Sequence, residues 1–200
     1  MTGGTLAGRR LRAPRGAAVR PTSDRVRESV FARLPELAGA RVLDLFAGTG
    51  ALGIEALSRG AAEAVFVERA GPALACLEAN LASLGLAERS RVLRGAVHGA
   101  LARLARERAR FDLVLVDPPY GAADTGPALR ALADAGLLAP GGTLVFETSR
   151  RHPPERVPGL VIADERRYGD TVVARYACAD APGGAAGAQN AGAAGREDGA

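Results

Sequence analysis

The chain has 200 residues, 48% of them hydrophobic and 24% charged, which suits one globular domain with a sizeable buried core. Its net charge of +4 permits an anionic partner without requiring one. No apolar run reaches the ~20 residues needed to cross a bilayer, and the arginine-rich start lacks the apolar stretch of a secretory signal. We therefore expect a cytoplasmic monomer with no membrane partner.

The cysteines and histidines give no metal-binding pattern. Cys76 and Cys178 are far apart in the sequence, and His98 and His152 stand alone. Zinc sites and disulfide frameworks require closer and more numerous ligands. The sequence therefore predicts buried, reduced thiols and no metal.

The first 34 residues combine a basic arm with a predicted helix. Residues 1–33 contain eight arginines against only Asp24 and Glu28. This charge fits either a solvated face or a surface that positions RNA through its phosphates. Thr22 or Ser23 can cap a helix that runs to about Leu34. Its apolar face would consist of Val26, Val30 and Phe31.

From residue 41 onwards, short apolar runs alternate with segments of helical pattern. The runs predicted as strands are 41–46, 64–68, 91–94, 111–116 and 142–147. The segments predicted as helices are 51–59, 70–84, 97–108 and 125–136. Nearly continuous apolar strands are typical of a parallel sheet covered on both faces. The repeated β-α pattern therefore predicts an α/β, doubly wound fold.

The end of the folded region differs from this pattern. Residues 160–167 and 171–177 are predicted as strands joined by a turn at 168–170, and so short a connection requires antiparallel pairing. Beyond Asp180 the chain is rich in alanine and glycine, which predicts disorder. The sequence therefore divides into a basic arm and helix (1–34), one domain (35–178) and a tail (179–200).

A glycine-rich turn separates the first predicted strand from the next helix. Gly48 and Gly50 would let the backbone approach a ligand, and Gly53 would permit close helix packing. Glu68 ends the following strand, where an acidic residue can hold ribose hydroxyls. This layout indicates a nucleoside-binding site. The glycine spacing alone fits a nicotinamide dinucleotide and S-adenosylmethionine equally well.

The segment from Asp44 to Gly50 resembles the cofactor motif of class I methyltransferases, which implies a Rossmann-like sheet and S-adenosylmethionine as the cofactor. The ammonium and sulfonium of that ligand give the Asp44 carboxylate a role that a pyrophosphate would not. The resemblance implies cofactor contacts from Asp44, Phe46, Gly48, Thr49, Gly50 and Glu68.

The predicted strand 111–116 leads directly into Asp117, Pro118, Pro119 and Tyr120. Ligands of open α/β sheets bind at the carboxyl ends of strands. The two prolines stiffen the turn and remove backbone donors, so Asp117 and the Pro118 carbonyl could orient an exocyclic base amine. Tyr120 could stack on the base. In an arbitrary sequence this segment would be an ordinary turn, but the preceding cofactor motif favours a catalytic role.

This tetrapeptide resembles the signature of amino methyltransferases, whose substrates include adenine N6, guanine N2 and protein glutamine. Residues 20–31, 3–11 and 168–171 further resemble segments of the bacterial 16S ribosomal RNA guanine(966)-N2 methyltransferase family. The resemblance implies methylation of guanine 966 at N2, with 16S ribosomal RNA in an assembled or nearly assembled small subunit as the partner. Another base, in RNA or DNA, and a non-catalytic RNA-binding module are the alternatives.

Two further expectations follow from this resemblance. The arginines of the arm become candidate RNA contacts, chiefly Arg10, Arg12, Arg20, Arg25 and Arg27. Class I methyltransferases commonly carry an acidic residue near position 96 for the adenine amino group. Ala96 cannot make that contact, so the recognition of adenine is left unassigned.

Overall fold

The computed structural model describes residues 1–14, 24–119 and 125–179. The strands in this part of the chain are β1 Arg41–Leu45, β2 Glu63–Glu68, β3 Ser90–Arg94, β4 Phe111–Val116, β5 Leu138–Ser149, β6 Leu160–Tyr168 and β7 Thr171–Cys178. They form one sheet in the order β3-β2-β1-β4-β5-β7-β6. The first five strands are parallel, and β7 is antiparallel to both β5 and β6. The prediction of a mostly parallel α/β sheet with a C-terminal hairpin is confirmed.

Helices cover both faces of this sheet. The α-helices in the described residues are α1 Asp24–Phe31, α2 Ala51–Ser58, α3 Gly71–Ser83, α4 Val97–Arg106 and α5 Thr125–Asp134, and two short 3-10 helices span Gly4–Leu6 and Ala87–Arg89. Because side chains alternate along a strand, neighbouring residues of β1 enter different cores. Leu43 packs with α4 and α5, whereas Val42 packs with α1, α2 and α3. The fold therefore has two apolar layers around one sheet.

Most element bounds agree with the prediction to within two residues, and two elements differ by more. The fifth strand extends to Leu138–Ser149, because the sheet continues through an irregularity around Pro140 and Gly141, residues whose composition resembles a loop. Helix α1 ends at Phe31 rather than near Leu34, which precedes a proline and so disfavours a helical backbone. The proposed caps Thr22 and Ser23, and the tail from residue 180, lie outside the described residues.

The start of the chain is fixed against α2. Thr2 donates from its backbone N–H and its hydroxyl to the Glu55 carboxylate, at 2.9 and 2.8 Å. Leu6 N–H donates to the Ser58 hydroxyl at 2.9 Å. Burial raises the pKa of Glu55, but hydrogen bonds from Thr2 and Arg59 outweigh it and lower this pKa below its ordinary value. The first residues of the basic arm are therefore part of the folded domain.

None of the described helices has the length and apolarity that crossing a bilayer requires. Cys76 and Cys178 are free thiols, and each is half-buried rather than fully buried as we expected.

The order of the strands positions the site. Strand β1 has β2 on one side and β4 on the other, so the direction in which the sheet grows reverses between β1 and β4. Ligands of open α/β sheets bind at such a reversal, beyond the carboxyl ends of the strands. The glycine-rich turn after β1 and Asp117 after β4 flank this point.

Candidate active site

The turn between β1 and α2 has an unusual backbone. Phe46 has a φ of 58°, and Gly48 and Gly50 have φ values of 56° and 86°. A positive φ is costly for a side chain as bulky as phenylalanine, and such conformations concentrate at functional sites. Ala47 holds the turn, because its N–H donates to the Val67 carbonyl at 3.0 Å and its carbonyl accepts from Gly50 N–H at 2.8 Å.

The two glycines of this turn and Gly53 of α2 serve different purposes. A Cβ on Gly48 would meet no neighbour closer than 4.0 Å, so its backbone is open to a ligand. A Cβ on Gly50 would lie 2.5 Å from the Leu77 side chain, and one on Gly53 would lie 2.4 Å from the Phe66 ring. Gly50, which the sequence suggested as a point of ligand approach, is therefore required by packing inside the domain.

Asp44 lies beneath the turn and is 1% exposed. Its Oδ2 accepts a hydrogen bond from Gly53 N–H at 2.8 Å. Burial raises the pKa of Asp44 to about 7; the Gly53 hydrogen bond opposes this effect, and the negative charges of Asp117 and Glu68 add to it. Three carboxylates from β1, β2 and the end of β4 are thus electrostatically coupled at one edge of the sheet.

Glu68 ties the glycine-rich turn to the end of β2. Its Oε2 accepts from Gly48 N–H at 2.8 Å, and its Oε1 accepts from the N–H groups of Arg69 and Ala70 at 2.8 and 2.7 Å. A carboxylate has about four acceptor positions. These backbone donors occupy three of them, so in this conformation Glu68 has room for one ribose hydroxyl rather than for both.

The charge of this edge discriminates between the two cofactor classes. Asp44, Glu68 and Asp117 would repel a pyrophosphate, and the helix N–H of Gly53, which could have served an anion, is bonded to Asp44. A ligand with an ammonium and a sulfonium would be attracted. The residues present therefore fit S-adenosylmethionine better than a nicotinamide dinucleotide.

The candidate reaction site lies beside the cofactor turn. Val116 pairs with Leu45, so Asp117 follows β4 next to the start of the turn. Asp117 is half-buried, Pro118 is buried and Pro119 is exposed. Tyr120 lies outside the described residues, so its stacking role stays a prediction.

Asn80 was missed by the sequence reasoning. It is 1% exposed, and its Nδ2 donates to the carbonyl oxygens of Thr49 and Arg12 at 3.0 and 3.1 Å. Its Oδ1 accepts from Arg12 N–H at 2.7 Å. One buried amide thus joins the cofactor turn to the N-terminal arm. The sequence did contain one sign of this role: Asn80 is an amide on the face of an alanine- and leucine-rich helix that also carries Leu77 and Leu81.

We expect Asn80→Ala to weaken cofactor binding and to destabilise the fold. The change leaves the backbone groups of Thr49 and Arg12 without their buried partner, which should lower the free energy of unfolding by about 2 to 3 kcal/mol. Denaturant unfolding and titration with S-adenosylmethionine would measure both effects. Ala82→Ser, at an exposed position of the same helix, is the control. A loss of stability with unchanged cofactor affinity would limit Asn80 to a structural role.

The arm arginines do not share one environment. Arg10, Arg12 and Arg25 are exposed, whereas Arg20 lies outside the described residues. Arg27 is 5% exposed; its guanidinium lies 2.6 Å from Asp24 Oδ1 and 3.6 Å from Glu55 Oε2. The expectation that Arg27 contacts RNA is therefore wrong for this conformation, because the helix turns that side chain inward to pair with the buried Glu55.

The strand order, the glycine-rich turn and the acidic edge define a class I methyltransferase fold. The family described as Conserved hypothetical protein 95 matches residues 1–177, and the chain belongs to this family. Ribosomal RNA small subunit methyltransferase D of Escherichia coli K12 is 38% identical over 157 residues, covering 78% of this chain and 77% of that protein. The resemblance to this group is thereby confirmed.

Two further proteins support this assignment. YlbH of Bacillus subtilis, provisionally named an rRNA methyltransferase, is 39% identical over 175 residues, covering 86% of this chain and 95% of that protein. The solved structure of yhhF from Escherichia coli, provisionally titled a methyltransferase, matches with a TM-score of 0.78 and 34% identity. The match covers 88% of this chain and 96% of that structure. The similarity therefore spans nearly the whole folded domain.

Proposed function

We propose that this protein transfers a methyl group from S-adenosylmethionine to N2 of guanine 966 in the 16S ribosomal RNA of the small subunit. The observation that carries the proposal is the pair of buried carboxylates, Asp44 and Glu68, at the reversal of the sheet, directly beside the Asp117-Pro118-Pro119 turn. The pair suits a cationic methyl donor, and the turn suits an amine acceptor. The relatives named as small-subunit methyltransferases support the choice of RNA.

S-adenosylmethionine supplies an electrophilic methyl group when it is bound. Glu68 would hold a ribose hydroxyl through its remaining acceptor position. Asp44 is too deeply buried to form much of the pocket surface, so its contribution is the negative charge that it places under the turn. Gly48 offers open backbone. Phe46, through its positive φ, and Thr49, whose carbonyl accepts from Asn80, shape the turn around it.

The acceptors after β4 would align the guanine amine. Its lone pair is delocalised into the ring, so the amine attacks well only when its hydrogens are held by acceptors in the correct direction. The Asp117 carboxylate and the Pro118 carbonyl provide such acceptors, and Asp117 takes the proton that the amine loses. Tyr120 would stack on the base once it leaves its neighbours. Arg10, Arg12 and Arg25 would contact RNA phosphates from the arm.

The proposal predicts the identity of the product. The protein would be incubated with labelled S-adenosylmethionine and small subunits that lack the modification, followed by nucleoside analysis and mapping by mass spectrometry. We expect N2-methylguanosine at position 966, and no label in large subunits treated in parallel. Methylated adenine, or a label at another guanine, would reassign the substrate. Binding of RNA without any transfer would favour the non-catalytic alternative.

A further inference from the structure

Two exposed arginines follow β5, on the side of Asp117 that faces away from the cofactor turn. Arg150 and Arg151 come directly after Ser149, the last residue of the strand. Among the described residues, neither guanidinium lies within ion-pairing distance of a carboxylate. The turn contacts Asp170 through its backbone carbonyl, but the Asp170 carboxylate forms no ion pair with either arginine within the described residues.

The segment that carries these arginines is a fixed turn. The Thr148 hydroxyl donates to the His152 carbonyl at 2.7 Å, and His152 N–H donates to the Ser149 carbonyl at 2.9 Å. Arg150 N–H donates to the Asp170 carbonyl at 2.9 Å, which attaches the turn to the loop between β6 and β7. Because the backbone is held from both sides, the two guanidinium groups project from a defined position.

The register of the sheet places this turn relative to the reaction site. Val116 pairs with Phe146, so Asp117 comes one residue after this pair and Arg150 comes four residues after it. Arg150 therefore lies about three residues, or at most about 10 Å, further along the strand direction than Asp117. That distance is too large for contact with the reacting amine but suits contact with the backbone around the target nucleotide. On the other side of Asp117, Arg12 is joined to the cofactor turn through Asn80.

We propose that Arg150 and Arg151 form a second RNA phosphate site, which with the N-terminal arm holds the substrate strand on both sides of Asp117. The inference rests on the proposed function, since it takes RNA as the substrate. Arginine suits this role because its planar guanidinium binds phosphate oxygens with two parallel hydrogen bonds. Such contacts position RNA without reading its sequence.

The test compares two doubly substituted variants of the full chain that carry the same change of charge. One is Arg150→Gln with Arg151→Gln. The control is Arg106→Gln with Arg110→Gln, because these exposed arginines lie at the opposite edge, before β4, and form no ion pair within the described ranges. Affinity for unmodified small subunits would be measured across salt concentrations, together with methyl transfer and the Kd for S-adenosylmethionine.

For the variant at residues 150 and 151 we expect about tenfold weaker RNA binding at 0.15 M salt and a salt slope reduced by about 1.4. KM for RNA should rise with kcat within twofold, and cofactor affinity should not change. Unchanged RNA binding, or an equal loss in the control, would overturn the proposal. If the unsubstituted protein transfers no methyl group but the RNA affinity still falls as described, the proposed function fails and the phosphate site stands.

Discussion

Asp117→Ala is expected to lower kcat on small-subunit RNA by about 10³-fold while the Kd for S-adenosylmethionine stays within about threefold. The residue is assigned both an orienting hydrogen bond and the acceptance of a proton, and loss of a positioned acid-base group typically costs 10²- to 10⁴-fold. The charge of Asp117 is only one of the smaller contributions to the raised pKa of Asp44, so its loss should change the affinity for S-adenosylmethionine little. Single-turnover kinetics and isothermal titration would separate the two quantities.

Two companion variants make this prediction specific. Asp117→Asn keeps a carbonyl acceptor but cannot take a proton, so its activity should fall between those of the unsubstituted protein and the alanine variant. Asp134→Ala removes an exposed carboxylate at the end of α5 and should have no effect. Full activity of Asp117→Ala would remove this residue from the reaction. A loss of cofactor binding as large as the loss of kcat would instead place it in the cofactor site.

Asp44→Asn is expected to weaken cofactor binding by about 30-fold at pH 8 without destabilising the free protein. The change preserves an acceptor for Gly53 N–H but removes a carboxylate charge beneath the cofactor turn. Loss of one partly desolvated charge interaction of about 2 kcal/mol corresponds to that change in affinity. Titration with S-adenosylmethionine and denaturant unfolding would measure the two properties on the same samples.

The raised pKa of Asp44 sets the direction in which stability and cofactor affinity change with pH. The pKa of Asp44 is raised from 3.8 to about 7, chiefly by burial, so the stability that its protonated form contributes is complete below pH 3.8 and is lost as the pH rises through 7. A cationic ligand favours the ionised form. Cofactor binding to the unsubstituted protein should therefore strengthen from pH 5.5 to 8 and release a proton at the lower pH.

The asparagine variant supplies the control for this titration. It has no carboxyl group at position 44, so its cofactor affinity should change less with pH over the same range. Its unfolding free energy relative to the unsubstituted protein should rise from pH 5 to pH 8. A parallel pH dependence in both proteins would show that Asp44 is not the titrating group.

The sheet was predictable because its strands are almost continuously apolar. Phe111–Val116 matches the predicted strand, and the short turn at Gly169 required the antiparallel hairpin. The extension of β5 was not predictable, because Pro140 and Gly141 have the composition of a loop. Strand pairing overrides this local preference, since the irregularity lets the backbone rejoin the ladder with β4.

The residues of the candidate site were predictable only where their local sequence was enough to indicate their role. Asp44, Glu68 and Asp117 could be named because each lies at or next to the carboxyl end of a strand at the same edge. The roles of Asn80 and Arg27 depend on contacts between distant segments: Asn80 meets Arg12 across 68 positions, and Arg27 pairs with Glu55. Sequence reasoning counted Arg27 as a surface cation because nothing local revealed a buried carboxylate opposite it.

A crystal structure of the protein with S-adenosylhomocysteine tests the central claim most directly. The claim is that one edge of the sheet holds the cofactor at Asp44 and Glu68 and the accepting amine at Asp117. We expect a ribose hydroxyl bonded to Glu68, the amino acid part above Asp44, and the sulfur facing Asp117 and Pro118. A ligand bound away from the glycine-rich turn, or with its sulfur facing away from Asp117, would contradict the account.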